Sequence, residues 1–301
     1  MIESLFNPKR IRATPLLRFE VFIAGFIFTM VGALFAINIV QPGPDAAGLG
    51  FLLVAFISIP AAPFFVQLFM IEERESVVND YKQGLFTKNL FTRHLDVISI
   101  FTFFFLSVVV ASSFFYVVAP PEMADAVFRE QVNDLQAKGV IARSPGTGAA
   151  FGFAFSDYSF SDILFNNLVV LALAFVFSFA LGAGAVFLIS WNASVIGSLI
   201  GKIARYPESF GSVQTGNVFT NYLVALPVTI LRLLPHGVFE FGAYFIAAIA
   251  GGVLSAGMIQ EAIRDRRTHF SDIKCVLVDS LVYLGIAVVF IFVGAIIECG
   301  L

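Results

Sequence analysis

Six stretches of this chain, roughly 19–40, 48–71, 97–119, 164–190, 237–259 and 275–297, stay apolar for about 20 residues or more. That is the length a helix needs to cross the ~30 Å hydrocarbon layer of a bilayer. In lipid every backbone N–H and C=O must be satisfied within the structure, so only helices and closed barrels span. Uninterrupted apolar runs without period-two alternation select the helix. A seventh segment, 217–234, is shorter and is interrupted by Asn221, Pro227 and Arg232. The predicted fold is therefore all-α: a polytopic transmembrane bundle of about seven spans, one of them short or broken. Composition agrees. Only 13% of the 301 residues are charged and 58% are hydrophobic, against about 25% charged in soluble domains.

Orientation follows from the basic residues, which concentrate in cytoplasmic loops. With seven crossings and the N-terminus cytoplasmic, 14 of the 18 Lys and Arg residues fall inside and 4 outside. If 217–234 dips in and returns to the same side, the division becomes 10 against 8. The count favours seven crossings and an outer C-terminus. The N-terminal Met1–Arg18 segment is basic but has no small-residue cleavage site, so the first run reads as a retained helix. The expected location is the cell membrane, multi-pass.

Several function classes are disfavoured. Cys275 and Cys299 show no CxxC or Cys/His metal spacing, so neither a zinc site nor a disulfide framework is expected. Cys299 is third from the C-terminus and misses the prenylation box. Gly197 to Lys202 is one residue short of a phosphate loop, and no Ser or Thr follows the lysine. No HExxH, paired aspartates or Ser/Lys pair supports a protease, and His94 and His269 lie in basic loops. No cofactor and no nucleic-acid partner is expected.

The chain divides into an N-terminal transmembrane hairpin, 1–95, and a membrane domain, 96–301, with an extracytoplasmic segment at 120–163. In the hairpin, Glu72-Glu73-Arg74-Glu75 with Lys82 and Lys88 reads as a solvated or headgroup-level connector. Pro60 and Pro63 read as a kink rather than a gating hinge. In the outer segment, apolar spacing predicts a helix over 122–138, with Gly139 suited to its end. Ser144-Pro145-Gly146-Thr147-Gly148 reads as a loop. Phe151, Phe153, Phe155, Tyr158 and Phe160 alternate as an interfacial aromatic belt does, and Ser161-Asp162 is a candidate N-cap. Small residues mark close helix approaches: Gly182 and Gly184, the GxxxG pair Gly197 and Gly201, and Gly251 with Gly252. Trp191-Asn192 is expected at the inner interface. The Asn192-Ala193-Ser194 sequon therefore reads as chance.

The strongest candidate site is Pro235-His236-Gly237-Val238-Phe239-Glu240. Titratable groups at bilayer depth are costly and mark function by default. His236 and Glu240 share a helix face at i, i+4. Pro235 suits a first helical turn, which places a break between two helices there. Gly237 leaves room for a neighbour. Arg232 could neutralise Glu240 across the break, and Asn166 and Asn167 are expected at the same outer depth as donors. Two readings stand: a satisfied polar lock holding a broken helix pair, which is favoured, and a site that binds a headgroup or relays protons.

Asn166-Asn167 opening an apolar span, Gly182 and Gly184 within it, Asn192, the Pro235-His236-Gly237-x-x-Glu240 element and a Gly251-Gly252 span together resemble the stage II sporulation protein M family. The resemblance covers roughly 97–298. It implies a non-enzymatic polytopic membrane protein; founding members act with peptidoglycan-degrading partners during spore engulfment. Asn166, Asn167, Pro235, His236, Gly237 and Glu240 carry over as motif positions. The long 120–163 segment departs from the compact pattern, so the engulfment role is not carried over. The leading expectation is a membrane scaffold or assembly component that recruits other membrane or envelope proteins. Its setting is the lipid bilayer, and homo-oligomerisation stays open. The alternative is a transporter or channel-like permease using His236 and Glu240. An intramembrane enzyme comes last.

Overall fold

A computed structural model of the chain describes residues 8, 18–39, 47–83, 95–138, 140, 159–210, 212, 214–263 and 270–300. Among these the regular structure is helical: α1 (Arg18–Ile39), α2 (Leu49–Gln83), α3 (Leu95–Val118), α4 (Pro121–Val127), α5 (Arg129–Ala137), α6 (Phe160–Leu181), α7 (Ala185–Arg205), α8 (Val218–Ile263) and α9 (Phe270–Glu298), with a 3-10 turn at Pro207–Phe210. Seven of them, all except α4 and α5, are long and apolar enough to cross a bilayer. The protein is a polytopic helical bundle.

Side-chain pairs fix the directions. Arg18 pairs with Asp96 at 2.5 Å and the Phe26 ring reaches Phe114, so α1 and α3 run parallel. On α7, Gly197 abuts Ser112 and Gly201 abuts Tyr116, so α7 also runs with α3. Helix α8 runs against α3, with Tyr222 beside Ser113 and Phe245 stacked on Phe101. Helix α9 returns along α8, from Val276 beside Gly257 to Gly294 beside Glu240. With the N-terminus inside, the end carrying α4 and α5 is the outer end.

Two expected spans are divided differently from the apolar runs. The run 164–190 is not one crossing. Gly182 takes φ +70, ψ −65, a left-sided conformation that glycine adopts without a Cβ clash. The amide of Ala183 then donates to the Leu181 carbonyl at 2.8 Å, and the chain doubles back so tightly that a Cβ on Gly184 would sit 2.4 Å from the Phe177 carbonyl. Gly182 is thus a turn residue, and α7 climbs from this turn to the outer end. Conversely, 217–234 and 237–259 are one helix of 46 residues that contains both Pro227 and Pro235. Proline is tolerated inside a spanning helix when neighbours re-satisfy the freed carbonyl. The count of seven survives, but Trp191 moves from the inner interface to a stack on Phe51, near the outer start of α2. Lys202 and Arg205 move to the outer side. The basic division becomes 12 inside against 6 outside, which still favours the same orientation.

Three helix ends are closed by side chains at the outer end. The helix expected over 122–138 is two, α4 and α5, broken at Phe128. The Glu130 carboxylate accepts from the amides of Gly48 (2.6 Å) and Gly50 (2.9 Å) at the start of α2, where unpaired donors and the helix dipole favour an anion. The Arg205 guanidinium donates to the carbonyls of Tyr116, Val117 and Ala119 at the end of α3, the mirror case for a cation. Helix α6 starts with a capping box between Ser159 and Asp162, two residues earlier than the expected Ser161 cap. Phe160 heads that helix and packs edge-on against Phe292. The remaining alternating aromatics, the Ser144–Gly148 loop, Gly139, Lys88, His94 and His269 lie outside the described residues.

Close backbone approaches explain most of the marked glycines. A Cβ on Gly197 would lie 2.5 Å from that of Ser112, one on Gly201 2.5 Å from that of Tyr116, and one on Gly251 2.3 Å from the Phe175 carbonyl. On Gly252 it would meet the Phe69 ring at 2.3 Å. At the inner end the acids of the connector are not solvated as expected. Glu72 and Glu73 are buried, because the end of α8 packs over them and Gln260 donates to Glu73 at 2.5 Å.

Candidate functional site

Helix α8 carries the Pro235–Glu240 element without a break. His236 and Glu240 line one cavity of about 270 Å³ in the outer half of the bundle. Around them stand Lys138 from the end of α5, Asp162 and Asn166 from α6, Asn192 from α7 and Glu298 from the last turn of α9. Elements that are distant in sequence therefore converge on one polar pocket.

Its centre is a directed hydrogen-bond chain. Asn167 donates from Nδ2 to Glu240 Oε1 at 2.7 Å. The Asn167 Oδ1 accepts from the Tyr244 hydroxyl at 3.0 Å and from Asn166 Nδ2 at 3.2 Å. Two donors on the amide oxygen leave only the NH₂ group free to face the carboxyl, which fixes the orientation of the amide. Asn167, Glu240 and Tyr244 are all buried. The Glu298 carboxyl lies within hydrogen-bonding range of Glu240. Helix α9 can come this close because residue 294 is glycine: a Cβ there would lie 2.9 Å from Glu240 Cγ.

The structure thus brings together Asn166, Asn167, His236 and Glu240. It does not bring Arg232 to Glu240. Eight residues of continuous helix separate them by about 12 Å of rise, and Arg232 is exposed and outside the cavity lining. Sequence reasoning missed Tyr244, Gly294 and Glu298. Tyr244 had a signal, since it repeats the i, i+4 spacing from Glu240. Glu298 had a weaker one: the acid follows the last apolar run directly and sits four residues after a glycine.

A second, apolar cavity of about 340 Å³ lies beside the first, between α3 and α8. Ile98, Thr102 and Val109 line one wall, and Ile230, Leu234 and Val238 line the other. Its origin is the path of α8. Tyr222 touches Ser113 and Phe241 stacks near Phe105 at 4.5 Å. Between these contacts α8 rises about 28 Å while α3 rises about 12 Å, so the two helices do not run in register; this stretch of α8 holds Pro227 and Pro235, and the gap beside α3 is the groove. Gly237 faces this groove while His236 and Glu240 face the polar cavity, so the motif serves both.

On the inner side of the polar cavity the interior is aromatic. The rings of Phe65 and Phe101 stack at 4.5 Å, Phe101 and Phe245 at 5.6 Å, and Phe69 and Phe101 at 6.1 Å. Among the described residues, no group of three or more His, Cys, Asp and Glu could hold a metal ion.

These features define a class: a multi-pass helical membrane protein with a polar cavity sunk in one half of the bundle and a packed aromatic interior beneath it. The chain belongs to the stage II sporulation protein M family, whose model matches residues 19–300. The match takes in α1 and α2 as well as the region that carries the motif. No curated protein and no solved structure matches the chain.

Proposed function

We propose that the protein is a non-enzymatic scaffold of the cell membrane, which uses its outer cavity and the α4–α5 platform to engage other membrane or envelope proteins. The observation that carries this reading is the closed floor. The outer cavity presents charged and amide groups at one end, and stacked phenylalanines fill the bundle beneath it. Such a pocket offers a docking feature and no polar path. The hydrogen bonding of Glu240 also suits a fixed feature, since its partner amide is itself held by two donors. A paired carboxyl of this kind avoids the cost of several kcal/mol that an unpaired one carries in a dry site.

One observation favours the permease alternative. Buried acids recur in the inner half, where Glu72, Glu73 and Asp279 are buried and Glu73 lies against Gln260 near the end of α8. Polar groups at both ends of one helix are what an alternating-access protein needs. Reconstitution separates the two readings. Full-length protein in proteoliposomes, loaded with a pH-sensitive dye and placed under an ion gradient, should leak no faster than empty vesicles. Flux abolished by Glu240→Gln would overturn the scaffold reading. In cells, a photo-crosslinking residue at Lys138 should give discrete protein adducts, and their absence would count equally against it.

A further inference from the structure

The polar cavity and the apolar groove are neighbours: Ile196, Leu233 and Phe241 line both. Along α8 they lie side by side, one lined from Leu233 to Tyr244 and rich in charged and amide groups, the other lined from Ile230 to Phe245 and apolar. We propose that the pair binds one phospholipid whose headgroup carries a primary amine, with the headgroup in the cavity at Glu240 and Glu298 and one acyl chain in the groove along α3.

Three features argue for that occupant. First, the length fits. The α3 wall runs from Ile98 to Val109, about 16 Å of helix rise, which is about the half-thickness of a ~30 Å hydrocarbon layer that one acyl chain spans. Second, the groove opens sideways to lipid. Leu234 and Val238 on its rim are exposed large apolar residues, so a chain could enter from the bilayer without crossing the bundle. A partner protein would need a protruding apolar rod to fill the same slot.

Third, the charge balance selects the headgroup. Asp162, Glu240 and Glu298 line the cavity against one lysine, Lys138, and one imidazole, His236, and the lysine ammonium is already 2.9 Å from Asp134. An anionic headgroup without a cation would meet three carboxyl groups. A primary ammonium offers up to three N–H donors to them. Its phosphate, a few bonds away, can reach the amides of Asn166 and Asn192 and the Lys138 end of the cavity.

The motif then has a single physical meaning. Pro235 lies between Leu234 and Gly237 on the groove-lining stretch of α8, Gly237 keeps the groove wall open, and His236 and Glu240 present the head end. This inference is independent of the scaffold reading, because a lipid can be bound by a scaffold or a permease alike.

The test uses the full-length protein, purified in mild detergent, stripped of lipid and then exposed to mixed micelles of dioleoyl phosphatidylethanolamine or dioleoyl phosphatidylglycerol. Native mass spectrometry counts bound lipid. The expected result is one phosphatidylethanolamine retained, with a preference of about tenfold over phosphatidylglycerol. Glu298→Gln should erase the preference by weakening the head end. Thr102→Trp, which fills the groove, should lower retention of both lipids. Asp162→Asn, at an exposed position where asparagine can still cap α6, supplies a second head-end variant if Glu298→Gln fails to fold. Equal retention of the two lipids by the unmodified protein would overturn the proposal. So would retention that survives Thr102→Trp in a protein of unchanged elution and melting temperature.

Discussion

Helix α8 lives in two environments. From Ala243 to Gly257 every residue is buried, and eight of these fifteen are alanine or glycine. Small residues let the backbones of α6 and α2 close on the helix from several sides, which is how helices associate where lipid offers no hydrophobic drive. From Val218 to Glu240 burial falls mainly on a narrow stripe that includes Asn221, Tyr222, Ala225, Thr229, Gly237 and Glu240. The rest of this half carries two prolines and exposed large side chains such as Leu223, Leu231 and Val238. One helix therefore has an inner half secured by contact and an outer half secured by a single seam. The space beside the seam is where the polar cavity and the groove lie. Fold and site are divided along one rod, and substitutions should report which half they touch.

The largest effect is expected at Gly251. A leucine there would put its Cβ 2.3 Å from the Phe175 carbonyl and 3.0 Å from the Phe179 amide. Both are backbone atoms of α6 that no rotamer change can move. Overpacking of this kind costs about 3 kcal/mol, and Gly251→Leu should lower the melting temperature in detergent sharply or prevent recovery of monodisperse protein. A mild response would mean that the inner half is not the rigid part.

Next comes Asn167→Leu, on the boundary between the halves. The change removes the amide that donates to Glu240 and leaves a buried carboxyl short of its partner, worth about 2 kcal/mol. Tyr244 loses its acceptor at the same stroke. Asn167→Leu should therefore destabilise more than Asn166→Leu in the same melt. Equal effects would show that the Tyr244–Asn167–Glu240 chain contributes little.

A smaller loss, about 1 kcal/mol, is expected for Arg205→Gln, which keeps length but removes the cation from the end of α3. This change tests the outer platform rather than α8. Its effect should shrink as salt rises, because the residue is only half-buried and screening reaches it.

The sequence made the class legible and the partition less so. Lipid demands about 20 apolar residues per crossing, and that demand is visible in any window. Where one crossing ends is set by conformation, and hydropathy cannot see it. Gly182 was visible as a small residue, but only its positive φ turns 164–190 into two helices. Pro235 looked like a break, because in water a proline ends a helix; within the bundle the helix continues through it. Of the site, the i, i+4 pair and the two asparagines could be read in advance. Glu298 and Gly294 could not, since their part depends on α9 returning along α8 to the depth of Glu240, a contact between residues 54 apart in the case of Gly294. The groove is lined by residues of α3, α7 and α8 that are distant in sequence, and no local pattern encodes it.

The smallest stability change, and the one that tests the comparison most directly, belongs to Pro235→Ala. In an ordinary helix interior proline is worse than alanine by about 3 kcal/mol. The substitution restores a backbone N–H that can donate to the Leu231 carbonyl, which should, taken alone, stabilise the helix. Proline also fixes the local path of α8 beside the groove, and a regular turn there would shift Leu234 and Val238 relative to Thr102. If the proline serves the site and not the fold, Pro235→Ala should leave the melting temperature level or slightly raised while lipid retention falls. If the proline is instead a structural requirement of the bundle, both quantities should drop together. Gly251→Leu provides the contrast, because there stability fails first and any loss of binding follows from it. Measured side by side, the two variants decide whether the outer half of α8 has been kept loose at the expense of its own helix.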